Sequence, residues 1–238
     1  MAGLLPGKEN RTMASALPDE AEARAALVLA LRQRGVGARD VLAAIERVPR
    51  RLFLSARHHS LAYEDAMLPI ECGQIVSAPS IVAFTVQALA IDSSHVVLEI
   101  GTGSGYQAAV MSHLAAQVET LDRFATLTDL ATRRFEALKL TNVKARQADG
   151  LSEFRQKGPY DRIVVNAAVE EVPDPWLQQL KPGGILIAPV GQAKKAQPLI
   201  KFQKTESVVT AETLMMVRTV MLQPGIAKKL KNRHETPF

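Results

Sequence analysis

Apolar residues in the middle of the chain form short continuous runs, and longer amphipathic segments separate these runs. Continuous apolar runs of this length are typical of strands buried on both faces, whereas the longer periodic segments are typical of helices. Repeated strand–helix units predict a parallel sheet covered by helices on both sides. The predicted parallel strands are Val96 to Ile100, Val118 to Asp122, Val143 to Gln147, Arg162 to Val165 and Ile185 to Val190.

The segments between these strands have helical periodicity, and the last of them leads through Lys181-Pro182-Gly183-Gly184 into the fifth strand. Two further apolar segments follow with no helix between them, which predicts an antiparallel pair at one edge of the sheet. The predicted helices run from about Tyr106 to Ala116, Ala125 to Lys139 and Pro175 to Leu180, and the two edge strands are Leu199 to Gln203 and Leu214 to Leu222.

A helical part precedes the first strand. One helix is predicted from Asp19 to Arg34 and a second from Asp40 to Arg47, because glycine and proline follow them closely. Residues 50–77 contain Pro69 and Gly73 and predict a long ordered loop. Ser77-Ala78-Pro79 then predicts the start of a third helix, with serine as the expected N-cap and proline in the first turn.

Composition limits the class of protein. The chain has 238 residues, 47% of them hydrophobic and 22% charged, which suits one soluble α/β domain with appendages. No apolar run approaches the roughly 18 residues that a membrane helix needs, and the first twenty residues lack a secretory signal. Cys72 is the single cysteine, so an internal disulfide is excluded and a cytoplasmic location is expected.

Charge adds little to this picture. The formal net charge is +5, but residues of both signs alternate along most of the chain. A nucleic-acid-binding protein is expected to concentrate its basic residues in one patch or stripe. We therefore expect no nucleic acid and no membrane as partner. The sequence does not report the oligomeric state, and a monomer is the default expectation.

The most informative motif is Val97-Leu98-Glu99-Ile100-Gly101-Thr102-Gly103-Ser104-Gly105. Its glycines fall at relative positions 1, 3 and 5, whereas a dinucleotide fingerprint needs positions 1, 3 and 6. The loop also lacks the lysine of a phosphate-binding loop. S-adenosyl-L-methionine carries no phosphate, so its amino-acid part can lie against such a loop. The predicted contacts are Glu99, directly or through water to the cationic end, and Gly101, Thr102, Gly103, Ser104 and Gly105.

Two acidic residues follow at the carboxyl ends of later strands. Asp122 lies about twenty residues after the loop, where a carboxylate can accept hydrogen bonds from ribose hydroxyls. Asp149 follows the third strand and is predicted to meet the adenine amino group. Together with their neighbours Arg123 and Gly150, they complete the predicted cofactor-binding set.

With these motifs, the chain from about Val41 to Leu222 resembles the protein-L-isoaspartate O-methyltransferase family. The resemblance implies a seven-stranded class I methyltransferase (Rossmann-like) sheet, mostly parallel with an antiparallel edge and an N-terminal helical extension. The motifs that carry it are Val48-Pro49-Arg50, Leu68-Pro69-Ile70, Gly73-Gln74, Ser77-Ala78-Pro79, the glycine loop with Tyr106-Gln107, Asp149-Gly150, Pro159-Tyr160-Asp161, Leu180-Lys181-Pro182-Gly183-Gly184 and Pro189-Val190-Gly191.

The resemblance also implies the reaction and its residues. Methyl is transferred from S-adenosyl-L-methionine to the carboxylate of damaged aspartyl residues in proteins or peptides, for repair. Ser77 falls on the family's catalytic serine, and Ile75, Val76, Ser77 and Asn166 are expected to contact the substrate. No metal is implied.

Four domain-level segments are expected. They are a disordered leader at 1–18, a helical and substrate-loop part at 19–92, an S-adenosylmethionine-binding methyltransferase core at 93–225 and a basic tail at 226–238.

The acceptor half departs from the family pattern. Glu71, Cys72 and Ile75 stand where the family has glycine, glutamine or tyrosine, and threonine, and Asn166 replaces another threonine. A carboxylate at Glu71 either repels a carboxylate substrate or points to solvent. Two alternatives therefore stay open: a methyltransferase with another acceptor (a biosynthetic peptide, a small molecule or RNA), and a non-catalytic homologue that serves as an interaction module.

Overall fold

A computed structural model describes residues 20–152 and 158–227 of the chain. The predicted leader at 1–18 and residues 228–238 of the predicted tail lie outside the described residues. Three helices precede the main sheet: α1 (Glu20–Gln33), α2 (Arg39–Arg47) and α3 (Pro79–Leu89). Their bounds lie within one or two residues of those expected from the pattern.

The predicted long loop between α2 and α3 has more local structure than expected. It contains a two-stranded antiparallel ladder, β1 (Leu68–Pro69) with β2 (Ile75–Val76). Short 3₁₀ helices cover Arg50–Phe53, Ala56–Leu61 and Glu71–Gly73. Since these 3₁₀ helices are only three to six residues long, they leave no periodic signal in the sequence.

The prediction that Ser77 caps α3 is wrong. The N-cap residue is Ala78, and its side chain makes no capping bond. Pro79 occupies the first helical position and has no N–H to satisfy, so the first amide that needs a partner belongs to Ser80. That amide donates to Asp65 Oδ1 over 2.8 Å, and a distant aspartate therefore does the capping.

Seven strands form the main sheet, in the order β5-β4-β3-β6-β7-β8-β9. Neighbours from β5 to β7 are parallel, and β8 and β9 add to the edge in antiparallel fashion, so the predicted fold class is confirmed. The strands are β3 (Val96–Ile100), β4 (Gln117–Asp122), β5 (Val143–Gln147), β6 (Tyr160–Val165), β7 (Leu180–Pro189), β8 (Gln197–Lys204) and β9 (Val209–Val217).

Most strands differ from their predicted bounds by at most two residues, but two differ by five. β7 begins at Leu180 rather than Ile185, because Leu180 already pairs with Tyr160 and the proline–glycine segment bulges out of the strand. β9 begins at Val209 and ends at Val217, whereas Leu214 to Leu222 was expected. Its first half is exposed at the edge of the sheet and has no apolar run to mark it.

Helices cover both faces of the sheet: α4 (Tyr106–Ser112), α5 (Ala125–Ala137) and α6 (Asp174–Gln178) complete the set. Alternate residues of the parallel strands enter two separate apolar clusters, so Val97 belongs to one and Leu98 to the other. Trp176 is buried in the second cluster, and its Nε1 donates to the carbonyl of Gly150 over 3.0 Å. None of the helices in the described ranges is long and apolar enough to cross a membrane.

Candidate active site

A cavity of about 1020 Å³ opens at the carboxyl ends of the parallel strands. It lies where β3 has β4 on one side and β6 on the other, the point at which the strand order reverses and α/β sheets bind ligands. One half of its wall is the glycine loop with residues 121–124, 148 and 150. The other half comes from residues 65–67, 74–78, 80–82, 193–194, 196 and 216–223. This volume has room for a cofactor and for the reacting part of an acceptor.

The glycine loop depends on backbone conformations that glycine adopts easily. Gly101 and Gly105 have φ values of +96° and +87°. A Cβ at Gly105 would lie 2.9 Å from Cβ of Ala131, so this position lets the loop pack directly on α5. Gly103 donates its N–H to Asp122 Oδ2 over 2.9 Å. The 1-3-5 spacing therefore serves a tight loop that rests on α5 and on the end of β4.

Glu99 lies behind this loop and not on the cavity wall. Its side chain is fully buried; Thr120 Oγ1 donates to Oε2 over 2.6 Å, and Asn166 Nδ2 donates to Oε1 over 2.9 Å. Burial raises the pKa of Glu99 to about 7, although both hydrogen bonds act in the opposite direction. Glu99 is thus off the wall where the cofactor contact, direct or through water, was expected.

Asn166 lines the cavity, but its amide is occupied on the protein side. Nδ2 donates to the carbonyl of Gly101 over 2.9 Å as well as to Glu99, and Oδ1 accepts from Gln107 Nε2 over 3.1 Å. An amide offers two donors and an acceptor, whereas the family's threonine offers one hydroxyl. Asn166, predicted as a substrate contact, therefore joins the glycine loop to Glu99 and α4.

The two acidic residues predicted for the adenosine part occupy different places. Asp122 lines the cavity, and its carboxylate accepts from the N–H groups of Gly103 and Phe124; burial raises its pKa. Asp149 stays off the wall and accepts from the N–H of Leu151 and the hydroxyl of Ser152. Burial alone would raise the pKa of Asp149, but these hydrogen bonds, a further one from the N–H of Gly225 and the charge of Arg123 outweigh it, and the pKa is lowered.

The neighbours of these acids do reach the cavity. Gly150 lines the cavity directly. A Cβ at this position would collide with the side chain of Ile100, so the close packing of the backbone on Ile100 requires glycine. Arg123 also lines the cavity, with its guanidinium 5.5 Å from the ring centroid of Phe124. Thr102, Gly103 and Ser104 complete the cofactor half of the wall, whereas Gly105 faces α5.

The three predicted acceptor residues before α3, namely Ile75, Val76 and Ser77, all line the other half of the cavity. Among the described residues, Ser77 Oγ makes no hydrogen bond, so the hydroxyl has no structural task on its own side of the wall. The backbone of Ser77 is held from behind, because its carbonyl accepts from Arg50 Nη2 over 3.1 Å.

Arg50 is the residue that sequence reasoning missed. It is fully buried and donates to the carbonyls of Ala62 over 2.9 Å and Ala66 over 3.0 Å, in addition to Ser77. Burial lowers the pKa of its guanidinium, which lies 5.7 Å from the ring centroid of Tyr106. The available signal was a single arginine in the motif Val48-Pro49-Arg50, which the family resemblance included without a role.

The departures at Glu71 and Cys72 lie outside the cavity wall. Oε2 of Glu71 is buried, and its carboxylate acts electrostatically on Arg134, which donates to the carbonyl of Ser104 over 2.9 Å. Glu71 is therefore off the cavity wall and partly buried, with one carboxyl oxygen out of contact with solvent. Burial raises the pKa of the Cys72 thiol, which disfavours a reactive thiolate.

Comparisons with known proteins identify the family of this chain. The model of the family described as "Protein-L-isoaspartate(D-aspartate) O-methyltransferase (PCMT)" matches residues 22–226. A protein-L-isoaspartate O-methyltransferase of Azorhizobium caulinodans is 51% identical over 207 residues, which cover 87% of this chain and 95% of that protein. A second, from Xanthobacter autotrophicus, is 47% identical over 207 residues, covering 87% of this chain and 94% of that protein.

Solved structures give the same picture of the fold. One protein-L-isoaspartate O-methyltransferase superimposes with a TM-score of 0.78 at 30% identity, over 85% of this chain and 67% of that chain. A Plasmodium falciparum structure in complex with S-adenosyl-L-homocysteine superimposes with a TM-score of 0.71 at 23% identity, over 83% of this chain and 97% of that chain. The second likeness shows a shared fold.

Proposed function

This chain belongs to the protein-L-isoaspartate(D-aspartate) O-methyltransferase family, and we propose that its cavity aligns an isoaspartyl carboxylate at Ser77 with a cofactor on the glycine loop. The protein is a methyltransferase that uses S-adenosyl-L-methionine as methyl donor. The observation that carries the proposal is the single cavity wall that joins the glycine loop and Asp122 to the segment with Ser77.

The residues present fit this cofactor. The loop has no cationic cradle for phosphate, and Gly101, Gly103 and Gly150 bring the backbone to the wall. We propose that Asp122 holds the ribose and that Thr102 to Ser104 hold the amino-acid part. Glu99 and Asp149 act behind the wall, through the loops that they support. When bound, the cofactor supplies an electrophilic methyl group on a good leaving group.

The acceptor needs little chemical activation from the protein. A free carboxylate has a pKa near 4, so it is ionised at neutral pH and no general base is required. Alignment of two reactants contributes up to roughly 7–11 kcal/mol in the best cases. Ser77 orients the acceptor by donating a hydrogen bond, while Ile75 and Val76 keep the adjacent wall apolar. The backbone of this segment is held by Arg50.

Methyl transfer to a matched pair of peptides tests the function. With labelled S-adenosyl-L-methionine, a peptide with an isoaspartyl residue is expected to accept methyl, while its normal aspartyl twin is not. The two peptides differ only in which carboxyl group of the aspartyl residue forms the main-chain amide and which one is free. A difference in methyl transfer therefore reports recognition of the damaged linkage. Measurable cofactor binding with transfer to neither peptide would rule out the proposed repair activity.

Ser77→Ala is expected to lower kcat/KM for the isoaspartyl peptide roughly tenfold to a hundredfold, since hydrogen bonds to charged groups contribute about 1.5–3 kcal/mol. Cofactor affinity and melting temperature should change little, because Ser77 does not cap α3. Ser80→Ala is the matched control on the same wall. Equal losses in the two variants, or an equal loss of cofactor affinity, would contradict the role of Ser77.

We propose damaged proteins and peptides as substrates, as the family implies, and a monomer in the cytoplasm. The single cysteine, which excludes an internal disulfide, supports a reducing compartment.

A further inference from the structure

Two further chain segments line the cavity, in addition to those around the glycine loop and Ser77. One is the connection between β7 and β8, residues 190–196, and the other is residues 218–223 after β9. The buried amide of Gln197 joins them: its Nε2 donates to the carbonyl of Gln192 over 3.2 Å, and its Oε1 accepts from the N–H of Thr219 over 3.1 Å. One side chain thus holds both segments in a defined relation.

Each segment contributes one exposed cation to the cavity wall, Lys194 from the first and Arg218 from the second. Within the described ranges, neither forms an ion pair. We call these two residues the cationic lip. The charged residue nearest to Lys194 in the sequence is another lysine, Lys195, so no acidic neighbour in the chain neutralises Lys194.

The acidic residues of the wall are already engaged. Asp65 forms an ion pair with Arg34 and accepts from the N–H of Ser80. Asp122, in the cofactor half, accepts from two backbone N–H groups. The acceptor side therefore presents two unpaired positive charges and no free negative charge among its described residues, which favours an anionic ligand.

Large exposed apolar side chains surround the same opening. Met67 is 54% exposed, Ile75 43%, Met216 59% and Val220 50%, and all four line the cavity. Exposed apolar residues that cluster around a cavity mark an interaction surface, whereas singly scattered ones do not. An apolar surface with charges at its rim is typical of a site that binds a polypeptide.

We propose that the cationic lip binds an acidic side chain next to the damaged residue, so that this enzyme prefers isoaspartyl sites flanked by aspartate or glutamate. The proposal rests on the proposed function. The methyl acceptor itself is a poor partner for the lip, because its negative charge disappears during transfer. A cation paired with that carboxylate would stabilise the ground state more than the transition state and would slow the reaction.

Three isoaspartyl peptides test this, identical except for glutamate, glutamine or lysine on both sides of the damaged residue. The wild-type protein is expected to give the lowest KM with glutamate and the highest with lysine. In the Lys194→Gln/Arg218→Gln variant, the KM advantage of the glutamate peptide over the glutamine peptide should fall about fivefold, since each exposed ion pair contributes roughly 0.5 kcal/mol. Raising the salt to 1 M should reduce the wild-type preference as well.

Lys195→Gln is the matched control, because Lys195 is exposed in the same connection but does not line the cavity. A wild-type protein that does not distinguish the three peptides would overturn the proposal, and so would an equal loss of preference in Lys195→Gln. Fluorescence anisotropy of the labelled peptides measures binding without turnover. If the glutamate peptide binds selectively through Lys194 and Arg218 but accepts no methyl, the binding role of the cationic lip is supported and the proposed reaction is ruled out.

Discussion

Arg50→Ala is expected to lower the free energy of unfolding by about 3–5 kcal/mol, which is the range of the most damaging single substitutions. The fully buried guanidinium donates to the carbonyls of Ala62, Ala66 and Ser77, which come from separate turns between α2 and α3. Without it, these carbonyls lose their donors in a closed environment, and each costs about 1–3 kcal/mol if it stays unsatisfied. Because Ser77 belongs to this set, methyl transfer should fall with stability.

Urea unfolding gives the midpoint and slope for this comparison. Arg51→Ala is the neighbouring control. Arg51 is exposed and its Nη1 lies 3.7 Å from Glu20 Oε2, so this substitution should lower the free energy of unfolding by less than about 1 kcal/mol. Arg50→Lys keeps the charge but not the planar fork that serves several carbonyls, so an intermediate loss is expected. If the Arg50 and Arg51 variants lose similar amounts of stability, Arg50 does not hold the acceptor segment.

The parallel part of the fold could be predicted closely because strand and helix segments alternate regularly along the chain, even where a strand such as β5 (Val143–Gln147) is largely polar. β3 and β5 begin and end at the predicted residues. The prediction fails where the chain is exposed or irregular, as in the bulged start of β7 and the polar half of β9. At such places a strand forms without a recognisable hydrophobic pattern, because the side chains on one or both of its faces are exposed to water.

The site could be predicted as a location but only partly as a set of contacts. Sequence spacing shows that Glu99, Asp122 and Asp149 come to one edge of the sheet, since parallel strands end together. It does not show which carboxylate faces the cavity, because this depends on neighbours that arrive from distant segments. Thr120 and Asn166 turn Glu99 into a buried support, and local turns engage Asp149.

The roles of Arg50 and Asn166 could not be predicted from local sequence patterns either. Their partners are main-chain carbonyls and side chains up to 67 positions away, and no local pattern encodes such contacts. Family resemblance marked Arg50 as part of a motif and Asn166 as a departure. Only the fold shows that both hold loops that form the cavity.

Glu99→Gln is expected to make the protein more stable than the wild type at pH 8, by roughly 3 kcal/mol, and to leave the two about equal at pH 4.5. Burial raises the pKa of Glu99 from 4.5 to about 7, so the folded state keeps a proton that the unfolded state has released. A shift of this size corresponds to roughly 3 kcal/mol at 1.36 kcal/mol per unit. Between pH 4.5 and 7 the folded state binds more protons, and stability therefore falls as pH rises through this window.

The hydrogen-bond network makes glutamine a suitable replacement. Its oxygen can still accept from Asn166, and its NH₂ group can donate to Thr120, whose hydroxyl then donates to Thr102 Oγ1, 2.7 Å away. Denaturant unfolding from pH 4.5 to 8 gives the difference in the free energy of unfolding between the two proteins. This difference reports on Glu99, because both proteins share the other titrating groups, whose contributions largely cancel. A difference that stays constant across this range would mean that Glu99 is ionised in the folded protein throughout. In that case a permanent negative charge, and not a titrating one, supports the glycine loop.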